Sequence, residues 1–200
     1  MRYRCFVLST RARPSLVVLS VVVLAMLATA VGVGIALRQR GLAPDFTLTN
    51  QDGLPFSLSA QRGKAIVLFF GYTHCTDVCP LTLARIAAVI RSLGPSGDDV
   101  EPVFVTTDPD RDSPPVLRSY LARFGAPFVG LTGSSDALVK TYAAYHVFVQ
   151  KLPPHAGEQG YEMAHSSALY YIDSRGALRD VGDWNDGVPA IAATVKMLVG

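Results

Sequence analysis

The chain predicts an α/β domain preceded by one membrane-spanning helix, and three observations carry that reading. First, residues 16–37 hold no charged side chain. At about 1.5 Å per residue, such a run crosses a hydrocarbon core of about 30 Å. Second, two strand-like runs, Ala65 to Phe70 and Glu101 to Thr106, flank a segment with apolar residues at helical spacing. That alternation marks buried strands covered by helices. Third, Gly71-Tyr72-Thr73-His74-Cys75-Thr76-Asp77-Val78-Cys79-Pro80 sets two cysteines between the first strand and that helix. Thiol chemistry is commonly mounted this way on an α/β sheet.

Each element follows from its residues. Phe46, Leu48 and then Leu54, Phe56, Leu58 alternate about Asp52-Gly53, which predicts a small N-terminal hairpin. Ala65 to Phe70 is apolar throughout, as a strand covered on both faces must be. Leu83, Ile86, Val89, Ile90 and Leu93 keep a 3–4 spacing, and Pro80 suits the first turn of their helix. After the strand ending at Thr106 comes the loop Thr107 to Asp112. Ser113 then caps a helix with Pro114 and Pro115 in its first turn and Val116, Leu117, Tyr120, Leu121 and Phe124 on one face. Phe128 to Leu131 reads as a short strand. Ser134 starts a helix carrying Leu138, Val139, Tyr142 and Tyr145. Gln150 to Met163, with Pro153-Pro154 and glycines, reads as an inserted loop. Ser167 to Ile172 and Ala177 to Val181 form a hairpin, and Pro189 to Leu198 a last helix. This order predicts a thioredoxin-like fold with an N-terminal hairpin and an inserted loop.

Charge divides the chain in the same place. Six of the 18 basic residues and none of the 16 acidic ones lie up to Arg40, which leaves 12 against 16, a net charge of −4. The basicity belongs to the N-terminal segment, so a nucleic-acid partner is not expected. Arg2, Arg4, Arg11 and Arg13 place residues 1–15 in the cytoplasm by the positive-inside rule. Residues 16–37 form the anchor, 38–44 a linker and 45–200 the exported domain. Ala28-Thr29-Ala30 also fits a signal-peptide cleavage site, although the apolar run continues past it. Under either reading the domain lies outside the cytoplasm. An arginine-rich, lysine-poor, Ala- and Val-rich chain points to a GC-rich bacterium, hence to a single-pass inner-membrane protein whose domain faces the periplasm or cell exterior.

Two thiols and one imidazole carry the chemistry. Amides at a helix start favour a thiolate, so Cys75 and Cys79 ionise readily. Their spacing is one residue longer than the Cys-x-x-Cys of thioredoxins, which leaves room for a metal between the sulfurs as well as for a disulfide. His165 precedes the strand Ala168 to Ile172, where thioredoxin-like folds face the cysteine loop. Two thiolates and an imidazole make a soft three-donor site suited to Cu(I) and able to accept Cu(II).

With these residues in place, the chain resembles the Sco/SenC family, membrane-anchored copper chaperones of cytochrome c oxidase assembly. The resemblance covers Ala43 to Leu198 and the anchor. It rests on Gly71-Tyr72-Thr73-His74-Cys75 through Cys79-Pro80, on Asp108-Pro109 with Arg111-Asp112, on Tyr161 upstream of His165-Ser166, and on Tyr170-Tyr171-Ile172-Asp173. It implies copper as cargo, Cys75, Cys79 and His165 as its ligands, and the copper-bearing (CuA) oxidase subunit as partner. Other periplasmic copper chaperones or thioredoxin-like reductants are further implied partners. The family pattern has Asp before the histidine, where this chain has Ala164.

Two other functions compete. Cys75 and Cys79 can act as the redox pair of a thiol–disulfide reductase that keeps the oxidase cysteines reduced. A peroxidase on the same fold would carry Thr and Pro ahead of its cysteine; Thr73 is present and the proline is not. Among the remaining candidates, His74 either tunes Cys75 or packs the loop, and Asp108 is either a site carboxylate or a turn former. His146 and Trp184 read as structural, His155 as solvated surface, Met163 as packing and Cys5 as an incidental thiol.

Overall fold

The computed structural model describes residues 41–154 and 160–199. The expected cytoplasmic segment and anchor, together with Cys5 and His155, lie outside the described residues. Among those described, no helix is long and apolar enough to cross a membrane.

A seven-stranded sheet forms the centre, in the order β2-β1-β5-β4-β3-β8-β9. Its middle strands β3 (Ala65–Gly71), β4 (Val100–Thr106) and β5 (Val129–Thr132) run parallel. The alternation in β3 explains why both its faces are apolar. Ala65, Val67 and Phe69 point into one core with α1 (Val78–Ser92), α2 (Pro114–Leu121) and α4 (Val188–Val199). Ile66, Leu68 and Phe70 point into the other, closed by α3 (Ser135–Ala144). All seven residues of β3 are buried. Strand β8 (Leu169–Ile172) pairs antiparallel with β3, and β9 (Leu178–Gly182) closes that edge.

The predicted N-terminal hairpin is present as β1 (Thr47–Asn50) and β2 (Pro55–Ser57), with Gly53 at φ +76° in its turn. Leu54, counted in its apolar alternation, is exposed. Ser134 caps α3 by accepting the Ala137 amide at 3.3 Å, whereas Ser113 stands at the N-cap of α2 without a side-chain bond. Gly41 to Pro44, read as linker, is docked: Leu42 bridges Ala177, and the Ala43 amide donates to the Gly176 carbonyl at 2.9 Å.

One element differs from expectation. The segment read as an inserted loop is a two-stranded hairpin, β6 (Val149–Leu152) paired with β7 (Glu162–His165). All eight of its residues are half-buried or exposed, so it lacks the apolar alternation that announces a strand.

Candidate metal centre

The carboxyl end of β3 places the cysteine loop. The chain turns after Gly71, with the Cys75 amide donating to the Tyr72 carbonyl at 3.3 Å, and enters α1 at Val78. A Cβ on Gly71 would lie 2.8 Å from Cys79 Sγ and 2.9 Å from the Phe104 ring, so only glycine lets that sulfur pack behind the strand. Asp77 occupies the N-cap position of α1 without using its side chain. Cys75 Sγ takes the capping role, accepting the Cys79 amide at 3.4 Å.

The two sulfurs are therefore unequal. Cys79 is fully buried, and Cys75 is half-exposed. A hydrogen bond from the Cys79 thiol, amide donation from Cys79 and Asp77, and the nearby His165 bring Cys75 down to about 5 against the opposing effect of burial. The same bond to Cys75, together with burial, raises Cys79 far above the ordinary thiol range. A group depressed on folding contributes stability that is fully present above its unfolded pKa and is lost as pH falls towards 5. The raised Cys79 acts oppositely, eroding stability once pH exceeds the ordinary thiol value, near 9. Alkylation of the reduced, metal-free protein by iodoacetamide should thus proceed at Cys75 at a rate that is flat above about pH 6 and falls below pH 5. Peptide mapping that finds Cys79 modified first would contradict this ordering.

His165 arrives on β7. Its Nε2 lies 3.7 Å from Cys79 Sγ, across 86 residues of sequence. Its Nδ1 lies 2.9 Å from the Ser166 carbonyl oxygen, which can only accept, so Nδ1 carries a proton and Nε2 is the ring nitrogen left to face the sulfur as a donor atom for a metal. The ring also meets Tyr72 edge-on, at 5.7 Å and 89°. A metal bonded to sulfur at ~2.3 Å and to imidazole at ~2.0 Å holds those donors about 3.5–3.8 Å apart. The spacing of Cys79 and His165 falls in that range. Among the described residues no three His, Cys, Asp or Glu side chains already form a closed set of metal donors. Closing a three-donor shell therefore requires side-chain movement, for which the half-exposed Cys75 has room.

Two carboxylates hold the pieces together. Asp112, fully buried, accepts the Thr73 amide at 3.1 Å, the Thr73 hydroxyl, and the Thr106 hydroxyl at 2.6 Å, which ties the cysteine loop to the end of β4. Burial raises its pKa, and those three donors oppose the rise. Asp108, also buried, accepts the Tyr161 hydroxyl at 2.8 Å and pairs with Arg111 Nε. The Arg111 guanidinium lies 3.8 Å from the Tyr161 ring centroid and donates to the Tyr161 carbonyl at 3.1 Å. From β6, the Lys151 ammonium stacks on the same ring at 3.7 Å and pairs with Asp110. The hairpin bearing His165 is thus clamped to the loop after β4.

Of the residues singled out from sequence, Cys75, Cys79 and His165 converge here. Asp108 is more than a turn former, because it anchors the hairpin. Sequence alone does not mark Asp112 as a site residue, since within Asp-Pro-Asp-Arg-Asp it has the signature of a solvated loop. His74 is exposed and turns its Nδ1 to the Thr73 hydroxyl at 3.2 Å. His146 sits exposed at φ 55° in the turn after α3. Met163 is half-buried against the core that contains Cys79. The Trp184 carbonyl accepts from Arg85 at 2.9 Å.

Fold and centre together define the class: a thioredoxin-like α/β domain with a dithiol at a helix start, faced by one imidazole. Residues 36–200 match the family model described as SCO1/SenC, and the chain belongs to that family. Among its relatives is a SCO2-like protein of Rickettsia felis, 35% identical over 132 residues, which are 66% of this chain and 64% of that relative. The matched stretch thus spans less than two thirds of that relative's length. A mitochondrial SCO2 homologue of Mus musculus is 34% identical over 148 residues, 72% of this chain and 58% of its own. Bradyrhizobium japonicum ScoI, solved with copper bound, superposes with a TM-score of 0.70 at 33% identity, covering 78% of this chain and 99% of that one. Yeast Sco1, also solved with copper bound, gives 0.68 at 32% identity, covering 78% and 89%.

Proposed function

We propose that this protein is a copper chaperone, held in the bacterial inner membrane by residues 16–37, that carries copper on Cys75, Cys79 and His165 to the CuA centre of cytochrome c oxidase during its assembly. The observation that carries the reading is the approach of His165 Nε2 to Cys79 Sγ at 3.7 Å, with Cys75 one helical turn ahead. Soft thiolates select Cu(I), and the imidazole lets the site accept Cu(II). Copper-bound relatives at about one-third identity support the same cargo. The Ser166 carbonyl orients His165 from its Nδ1 side, a role that outer carboxylates fill in other metal sites, so Ala164 in place of the family Asp does not leave the ring unoriented. Half-exposed Cys75 offers the sulfur that an incoming partner ligand would replace first.

A second reading, reduction of the oxidase cysteines, is favoured by the contrast between an accessible thiolate at Cys75 and a buried thiol at Cys79, the arrangement of an attacking and a resolving sulfur. His165→Ala separates the two readings. A dithiol reductase does not need the imidazole; a chaperone does. Cells carrying this variant should lose most oxidase activity at limiting copper and regain it with added copper, while thiol exchange by the purified protein stays within about twofold, because the attacking thiolate is held chiefly by other donors. Intact oxidase at low copper combined with collapsed thiol exchange would replace the chaperone reading with the reductase one.

A further inference from the structure

Cys75 opens on a groove whose chemistry differs from the rest of the domain. Between the cysteine loop and α2 lies an open groove of about 620 Å³, bordered by Thr73, His74, Pro115, Val116, Tyr120 and Arg123. A second hollow of about 300 Å³ shares Thr73, Tyr120 and Arg123 with it and reaches Cys75, Pro80 and Phe124. Among the described residues no carboxylate lines either hollow, although the chain beyond Arg40 carries a net −4. Arg123 supplies the fixed positive charge. Its guanidinium lies over the Tyr120 ring at 4.6 Å, its Nε donates to the Tyr120 carbonyl at 3.2 Å, and among the described residues no carboxylate pairs with it. Fully buried Cys79 does not border the groove, so a molecule approaching the dithiol from this side meets Cys75 first.

We propose that this groove binds small carboxylate-bearing disulfides and thiols, of the glutathione class, and presents their sulfur to Cys75. The proposal rests on the dithiol reading of Cys75 and Cys79 and not on copper. Three features select that occupant: one guanidinium in a lining without carboxylates, an apolar floor from Tyr120 and Phe124, and a volume in the small-ligand range of roughly 300–1,000 Å³. In the step, the Cys75 thiolate attacks one sulfur of the disulfide RSSR, forming Cys75–S–S–R and expelling RS⁻. Cys79 then loses its proton to the expelled thiolate and attacks Cys75 Sγ, which closes the Cys75–Cys79 disulfide and releases the second RS⁻. The protein dithiol is oxidised by two electrons, and RSSR is reduced to two thiols. The reverse sequence reduces the protein.

The test uses the full chain, reduced and metal-free, and measures second-order rate constants with glutathione disulfide, which is anionic, and hydroxyethyl disulfide, which is neutral. Their ratio cancels the reactivity of Cys75 itself and reports recognition of charge. Arg123→Gln should lower the anionic-to-neutral ratio about three- to fivefold, the effect of one exposed ion pair. Arg123→Lys should keep most of it. Arg179→Gln, an equal change of net charge on β9, should leave it unaltered. A ratio unmoved by Arg123→Gln, or an equal fall in both glutamine variants, overturns the groove. Cu(I) uptake by the wild-type preparation keeps the outcomes apart: a wild-type chain that takes up no copper sinks the chaperone reading, whereas a flat ratio with copper uptake intact sinks the groove alone.

Discussion

Replacing Cys75 and Cys79 together by serine is expected to abolish tight copper binding, from one Cu(I) per wild-type chain to none that survives a competing chelator. Serine hydroxyls are hard and stay protonated at neutral pH, whereas Cu(I) prefers thiolate. The unequal thiols also predict how many protons copper displaces from sulfur. With Cys75 brought down to about 5 and Cys79 held protonated, a chain at pH 7 carries one thiolate and one thiol. Loading copper on both sulfurs therefore releases one proton near neutrality and approaches two only below pH 5, which calorimetry in buffers of different ionisation heat can count. His165→Ala should retain two-sulfur binding weakened by at least the roughly 10–100-fold that loss of an outer-shell partner costs a metal site, since a ligand itself is removed. Undiminished copper in the double serine variant would end the metal-site reading.

What the sequence made legible and what it hid divide along physical lines. Ala65 to Phe70 could be placed because a strand covered on both faces has no choice but to be apolar, and β3 is buried along its whole length. The cysteine loop followed from it, since a strand end and a helix start are where amides converge. The β6–β7 hairpin stayed hidden because only Val149 and Met163 of its eight residues pack on the cores, too few to form an apolar face. Arg111 and Lys151 stacked on Tyr161, and two carboxylates in the loop after β4, hold it instead. The contacts that reach the loop after β4 join residues 41, 50 and 53 positions apart and leave no periodicity. Val116 and Val139 depart from the apolar helix faces for a related reason. Their helices need only part of the apolar positions for the core, and these two side chains are exposed, Val116 lining the groove beside Cys75. Asp112 shows the limit most clearly, because only the fold brings Thr73 and Thr106 to it.

That hidden clamp gives the second large effect, at Asp108. Asp108→Ala removes the acceptor of the Tyr161 hydroxyl and the counter-charge of Arg111, whose Nη2 is already buried without a partner. Stripping one member from a fully buried pair costs about 3–5 kcal/mol; with the Arg111 side chain 23% exposed, about 2–3 kcal/mol is expected here. The loss falls on the attachment of the hairpin more than on the sheet, because Asp108 holds Tyr161, next to β7, both directly and through Arg111. Amide hydrogen exchange in Glu162–His165 should accelerate by at least tenfold while β3 and β4 keep their protection. Copper affinity should then fall about tenfold or more, since His165 is available only in the docked hairpin. Asp110→Ala is the internal comparison: it breaks an exposed pair with Lys151, at 50% and 69% side-chain exposure, and should cost less than about 1 kcal/mol. If Asp108→Ala leaves exchange in β7 and copper affinity no more altered than Asp110→Ala does, the clamp is not what holds His165 against Cys79.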